Sequence, residues 1–512
     1  MSSTKPNGLP VVESTMGFLL VVGLFVTVVT TIANLVHFRD VGYPESATLL
    51  RVQEFLSTGQ MYPDFNRPPY LVTLYGPLYY ALLGGVYTIA QMVASDPRTV
   101  VRLAIIASFS ICVLTTFRIG QRLYPERSFA FVSLLFAISI APLSSWTTQI
   151  RGDLPALALS LSSFYICLTA TTNRRRLVAA ICAGLALLVK QTSIAVPCAV
   201  LIWHFWRHEF SEGLLWIAVV IGTVFCGYAV AYLREPFLLE HFAALGSPFL
   251  EFSGALRLIG ESLSQPQTVF GLFGVFLVIR QRDSNKLLLG CYWLVSWLVA
   301  MVAILQVGGN SNYFWEPLLV SAIGAGPGLV WVIRNVNRGP TFLRVFVALA
   351  LIYVFFPVLK AQIIQLSVSY GRLKAHDHAQ AEWNLLLSRI SGHRILSTFP
   401  DITIQSRIPE VPDPFLNNLL AQRGKWDFMP ILREIRSNNY DLVVVASELA
   451  SGGSFHRGVG IWPPAIWQAL RRNYVQACVL QNMQVWLPRN NSSNLLNVLS
   501  TIDCKITNIE SR

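Results

Sequence analysis

The chain is 512 residues long, 53% hydrophobic and 13% charged, with a mean hydropathy of +0.51. A soluble globular domain carries about 25% charged residues, so this composition excludes an ordinary soluble domain, and the long apolar runs point to a polytopic helical membrane protein. The net charge of +12 does not call for nucleic acid, because basic residues gather in the cytoplasmic loops of membrane proteins for topological reasons.

In chain order, candidate spans cover residues 16–38, 101–118, 128–147, 154–171, 177–189, 191–206, 214–232, 268–280, 287–305, 316–333 and 345–363. The first run is long enough to cross and has no small-residue cleavage site, so no cleavable signal peptide is expected. Basic residues give the sides. Arg118, Arg122 and Arg127 fall in one connection, and Arg174, Arg175 and Arg176 in another. Arg207, then Arg280, Arg282 and Lys286, then Arg334, Arg338 and Arg344 mark three more. Two crossings separate each neighbouring pair, so all of these connections fit inside the cell.

Residues 39–100 then lie outside. Within them, 45–56 shows helical spacing and reads as a short surface helix between Pro44 and Gly59. The apolar stretch 71–93 reads as interfacial, re-entrant or a hairpin, with Tyr75, Tyr79, Tyr80 and Tyr87 suited to the headgroup region. From about 364 onward the chain is outside again and changes character. Strands are expected at 394–397, 441–446, 474–479 and 483–487, with Gln481-Asn482 as a hairpin turn and a helix at 429–437. The expected fold is thus an all-α membrane bundle of about eleven spans, with re-entrant or interfacial helices in the first outer loop. Residues 1–363 form the membrane module, and 364–512 a small α/β extracytoplasmic domain.

The outer segments concentrate chemistry-bearing residues. The first holds Asp40, Glu45, Tyr62 and Asp64; the second holds Arg151 and Asp153; the third is the Lys190 turn; the fourth is 308–316, with Asn310, Asn312, Tyr313 and Glu316. Carboxylates can take the proton of an attacking hydroxyl or amine. Arginine and lysine can hold a departing phosphate. Asparagine and aromatic residues suit a sugar pocket. Each feature also has a plainer reading: Arg151 and Asp153 as a helix-capping ion pair, Lys190 snorkelling to the interface, Asp40 ending the first span beside Arg39. What favours chemistry is that all of them fall on one face.

The order of an acidic first loop, Gly59-x-x-Tyr62, Pro68-Pro69, Tyr75-Gly76-Pro77-Leu78-Tyr79-Tyr80, Arg151-Gly152-Asp153 and Lys190 resembles the polytopic C-type glycosyltransferases. These include the protein O-mannosyltransferases and the lipid A aminoarabinose transferases. The resemblance covers about the first 360 residues. It implies a polyprenyl-phosphate sugar as donor, a glycan, lipid or protein acceptor, the bilayer as partner, and no nucleic acid. It also implies a first-loop Asp-Glu pair serving as general base. Here Glu45 matches the Glu, while Pro44 stands at the Asp position, so both Glu45 and Asp40 remain candidates. Asp153 and Arg151 match the second-loop acid and its basic neighbour, and Lys190 a lysine near the donor phosphate.

The expected catalytic residues are therefore Glu45, Asp40 and Asp153. Arg151, Lys190, Tyr62, Asp64, Asn310, Asn312 and Tyr313 are expected to bind substrate. No cofactor and no metal are expected: His376-Asp377-His378 has ligand residue types but no further partners. A lipid or sugar transporter is the alternative, but it calls for ionisable groups at mid-membrane and repeated halves. The location expected is a bacterial inner membrane, with the N-terminus cytoplasmic and the C-terminal domain outside. Six cysteines (Cys112, Cys167, Cys182, Cys198, Cys226, Cys291) lie in apolar runs as packing residues. Cys478 and Cys504 lie in polar sequence and would pair in an oxidising compartment.

Overall fold

The computed structural model describes residues 9–37, 40, 45–94, 96–124, 126–138, 140, 146–246, 252–281, 283–306, 309–337, 340–374, 376–403, 410, 413, 415–446, 462–480, 483–490 and 505–506. The chain forms two compact units. The first comprises Met1–His37, Tyr75–Val230 and Phe249–Leu373; the second comprises Phe38–Leu74, Ala231–Pro248 and Lys374–Arg512.

The first unit is built from helices. Proline at the first turn starts the helices Pro77–Val93, Pro97–Leu123 and Pro266–Ile279, where a missing N–H costs nothing. The side chains of Asp96, Thr172 and Asp283 accept from first-turn N–H groups of three helices, satisfying donors the helix itself leaves open. Among the described residues, five helices are long and apolar enough to cross a membrane, or six if Gly254–Leu263 and Pro266–Ile279, bent by 64°, count as one span. Four shorter apolar helices, among them Asp153–Thr169 and Ala195–Trp206, accompany them.

Exposed faces identify the solvent of this unit. The helix Phe210–Tyr232 turns Gly213, Trp216 and Val220 inward and leaves Leu214, Ile221, Phe225 and Val230 exposed. A continuous apolar exterior of this kind is at home in lipid, and the protein is an integral membrane protein. Inside, the helices Pro266–Ile279 and Trp315–Asn337 approach backbone to backbone. A Cβ on Gly274 would strike the Gly324 carbonyl, and one on Gly328 the Phe270 carbonyl. Small residues at such crossings give membrane helices the close packing that lipid cannot supply as a driving force.

Residues 77–93 form one continuous helix rather than a hairpin. The expectation that its tyrosines meet the headgroups is corrected here. Tyr75, Tyr79, Tyr80 and Tyr87 are all buried in protein, and Tyr75 and Tyr79 pack edge to face at 4.8 Å. Burial wins because the Tyr75 hydroxyl has ionic partners inside the unit.

The second unit carries a five-stranded sheet, β1 (Ile395–Ser397), β2 (Leu442–Ala446), β3 (Tyr474–Leu480), β4 (Met483–Pro488) and β5 (Lys505–Ile506), in the order β1-β2-β4-β3-β5. β1 and β2 run parallel, with Ile395 opposite Leu442; both are apolar and buried nearly throughout, as parallel strands covered on both faces are. β3 and β4 form an antiparallel pair at the expected positions, their Gln481-Asn482 connection lying outside the described residues. The helix Met429–Arg436 also falls where its periodicity predicts. Cys478 is disulfide-bonded, the six cysteines of the apolar runs are free, and Cys504 lies outside the described residues.

The tail does not form this unit alone. Asn417 Nδ2 donates to the Tyr70 carbonyl at 3.3 Å, and Lys425 Nζ to the Ala243 carbonyl at 2.7 Å. The Asp427 N–H donates to Asn66 Oδ1 at 3.1 Å. The tail, the first insert and residues 231–248 are thus joined by hydrogen bonds.

Candidate active site

The helices Asp153–Thr169 and Asn173–Val189 have 17 residues each, and only residues 170–172 connect them. A pair of equal helices with so short a link folds back on itself, so the start of the first and the end of the second meet. Asp153 stands at that start and Lys190 just past that end. Each charge also matches its helix terminus: a carboxylate suits the positive N-terminal end and an ammonium the negative C-terminal end. The Lys190 ammonium reaches Asp153 Oδ1 at 2.5 Å.

Arg151 and two further segments converge on the same carboxylate. Arg151, one residue before Gly152, donates through Nε to Asp153 Oδ2 at 3.1 Å and lies over the Trp146 ring at 4.5 Å. Asn312 donates from Nδ2 to Asp153 Oδ1 at 2.6 Å. It comes from the 3-10 turn Ser311–Phe314, which leads into the helix Trp315–Asn337. Tyr75 donates its hydroxyl to Asp153 Oδ2 at 3.3 Å and accepts from Arg151 Nε at 3.2 Å. Its approach needs two glycines. The Gly76 N–H donates to the Val189 carbonyl at 3.0 Å, and a Cβ there would strike the Leu188 carbonyl. A Cβ on Gly152 would lie 2.7 Å from the Tyr75 ring.

One carboxylate thus holds two cations, leaving the cluster a net charge of +1. Asp153 is almost fully enclosed, at 3% side-chain exposure, while Lys190 and Arg151 keep 14% and 19%. The positive ends reach outward and the negative centre does not. Lys190 also lies over the Tyr313 ring at 4.7 Å. A cavity adjoins the cluster, lined by Asp153, Lys190, Ser193, Asn312, Trp315 and Glu316 among others. It offers about 40 Å³ to the centres of water molecules, room for roughly three of them. Glu316 Oε1 accepts from the Tyr292 hydroxyl at 2.7 Å.

The structure therefore brings together Asp153, Arg151, Lys190, Asn312 and Tyr313. Asn310 does something else: its side chain accepts the Ser311 N–H at 2.7 Å and caps the turn that delivers Asn312. Tyr75 was not expected as a site residue, and Glu316 was expected only as a chemistry-bearing residue of the fourth outer segment, with no role assigned. Both lie in stretches the sequence marks as unusual, but a tyrosine in an apolar run and an acid beside a helix start carry no signal of which side chains they meet.

In the second unit, Asp40 accepts the Ser46 N–H on both carboxylate oxygens at 3.1 Å and the Ser46 hydroxyl at 2.5 Å. It thereby fastens the first turn of the helix Glu45–Thr58, whose first residue, Glu45, is fully buried. That helix ends at Gly59, at φ +76°, the left-handed stop that glycine allows without strain. Tyr62 is a core residue here, its ring against His241 at 5.5 Å. The N–H groups of Met61 and Tyr62 donate to the buried Glu235 carboxylate at 2.8 and 3.0 Å. Asp64 holds a turn through the Asn66 N–H at 2.9 Å and pairs with exposed Arg67.

Known proteins carry the same arrangement of elements. Residues 76–231 match the family model for dolichyl-phosphate-mannose-protein mannosyltransferases. ArnT from Cupriavidus metallidurans, in its apo state, superposes with a TM-score of 0.57 at 14% identity over 92% of this chain and 98% of that one. Its undecaprenyl phosphate complex gives the same score over 93% and 98%. The oligosaccharyltransferase of Archaeoglobus fulgidus, in its apo form, superposes at 0.54 with 11% identity, over 85% and 70%. The chain has the C-type glycosyltransferase fold. The matched family model and these superposed structures are glycosyltransferases. No curated protein sequence matches the chain.

One pH dependence follows from the second unit. His241 Nδ1 accepts the Thr73 N–H at 3.0 Å and Nε2 donates to the Pro63 carbonyl at 2.7 Å, which fixes the neutral tautomer. Burial pushes its pKa from 6.5 down to about 4. The unfolded chain therefore binds the extra proton first, so this contribution to stability is complete above 6.5 and is lost as pH falls toward 4. Thermal midpoints across that window should drop, and His241→Gln should flatten the drop. An unchanged slope in the variant would assign the loss to other groups.

Proposed function

We propose that this protein transfers a sugar from a polyprenyl-phosphate donor to a glycan, lipid or protein acceptor at the extracytoplasmic face, with inversion. The acceptor hydroxyl or amine attacks the anomeric carbon. The bond from that carbon to the phosphate oxygen breaks, and the lipid phosphate leaves with the electron pair. The observation that carries this reading is the grip of one buried carboxylate on two partly exposed cations. Lys190 and Arg151 receive the phosphate, and Asp153 holds both in place rather than accepting a proton itself, since four donors already occupy its oxygens. Binding of undecaprenyl phosphate by ArnT and of dolichol-phosphate by the Archaeoglobus enzyme supports a lipid-phosphate donor.

Fixed cations beside a developing phosphate charge contribute on the order of a hundredfold or more in rate each. Arg151→Ala and Lys190→Ala should lose transfer to about that extent while still inserting and folding. Wild-type turnover in either variant would remove the phosphate assignment.

The acceptor proton is assigned to a first-insert carboxylate, Glu45 before Asp40. Asp40 already accepts three hydrogen bonds from Ser46 and reads as an anchor for its helix. Glu45→Gln, which keeps size but cannot take the proton, should abolish transfer and spare donor binding. Asp40→Asn should retain measurable activity; the reverse pattern would make Asp40 the base.

We place the protein in a bacterial inner membrane, with its N-terminus cytoplasmic and its C-terminal domain outside, on the distribution of arginine. A tag after Arg176 should be accessible from the cytoplasm and one after Asn490 from outside. Finding both on one side would reject this orientation.

A further inference from the structure

We propose that the cavity beside Lys190 takes the edge of the donor's sugar ring, and that Glu316 is a specificity residue accepting hydrogen bonds from its hydroxyls. The inference rests on the reading that Lys190 and Arg151 hold the donor phosphate, and it adds the recognition of what the phosphate carries.

Three side chains on the cavity wall have hydrogen-bonding capacity that the described residues leave unused. Glu316 spends Oε1 on Tyr292, while Oε2 has no partner among them. Trp315, 2% exposed, has a buried indole N–H with no acceptor, and Asn312, 7% exposed, has a buried carbonyl oxygen with no donor. Buried polar atoms are nearly always paired, so a cluster of exceptions needs an explanation. Here they share one cavity with Lys190. Asn312 also joins the two sites directly, giving its amide N–H to Asp153 while its carbonyl stays open.

The set suits a sugar rather than a second anion. It presents one donor, the Trp315 N–H, against two acceptors, the Asn312 carbonyl and Glu316 Oε2, and the wall adds the hydroxyls of Thr192, Ser193 and Ser296. A hydroxyl group can both give and take, so a polyol edge satisfies donors and acceptors alike. The remaining wall includes Leu157, Val299 and Ala300, an apolar surface fitted to the C–H face of a ring.

The test uses the full-length protein in nanodiscs, with undecaprenyl phosphate, undecaprenyl-phosphate glucose and undecaprenyl-phosphate mannose as probes. Wild type should bind at least one sugar lipid more tightly than the bare phosphate. Glu316→Gln keeps an acceptor for Tyr292 and should lose roughly tenfold or more for that sugar lipid, with bare-phosphate affinity unchanged. Lys190→Ala should weaken all three probes together. A Glu316→Gln protein that binds the sugar lipid as wild type does overturns the proposal. So does one that weakens all three probes in step with a fall in its thermal midpoint, since that marks a structural role. A wild type that holds neither sugar lipid more tightly than bare phosphate overturns it too. Unchanged phosphate binding in Lys190→Ala would instead strike the phosphate reading beneath it.

Discussion

A carboxylate enclosed in protein is unstable unless its charge is answered at hydrogen-bond distance, and Asp153 sets that condition for the first unit. Lys190 and Arg151 answer it with charge, Asn312 and Tyr75 with neutral donors. Each partner arrives on a different segment, so the demand of one side chain fixes the relative placement of four pieces of chain. Removing either cation leaves the other still paired with Asp153, while each lost donor leaves a buried carboxylate oxygen short of a hydrogen bond. The glycines at 76 and 152 follow from the same requirement, because any side chain there would hold Tyr75 away.

The grip also prepares the cations for chemistry. A free lysine side chain gives up rotamer entropy when it meets an anion. Here Asp153 and the Tyr313 ring have already placed the ammonium, so an arriving phosphate meets a positioned charge. The second unit uses buried acid differently. Glu235 spends both oxygens on the backbone of residues 61 and 62, and His241 ties residues 63 and 73. These groups hold a loop in shape, which accounts for polar residues that would otherwise suggest catalysis.

Much of this was legible in the sequence where charge, period and connection length act locally. The composition and apolar runs announced the membrane, and the alternating or apolar runs of the tail announced β1 to β4 within a residue or two. Asp153, Arg151 and Lys190 could be picked out because they fall at loop ends opposite the arginine-rich connections and match charged positions of the C-type glycosyltransferases the chain resembles. Tyr62 and Asp64 carried the same residue types as a sugar site, but their partners in this unit are a histidine ring and a turn. Residue type does not distinguish these uses; neighbours do.

The sequence by itself determined the membrane class, the strands of the tail and the choice of Asp153, Arg151 and Lys190 as charged residues at loop ends, because composition and hydrophobic pattern act within a few residues or one short loop. Tertiary structure alone decided that Tyr75 is buried against Arg151 and Asp153, that Asn312 joins them while Asn310 caps a turn, and that Glu316 faces their cavity. It also decided that the first insert and residues 231–248 share a unit with the tail. The Tyr75 and Asn312 contacts reach across 76 to 159 residues of chain, and no local pattern encodes which distant group a buried polar atom will find.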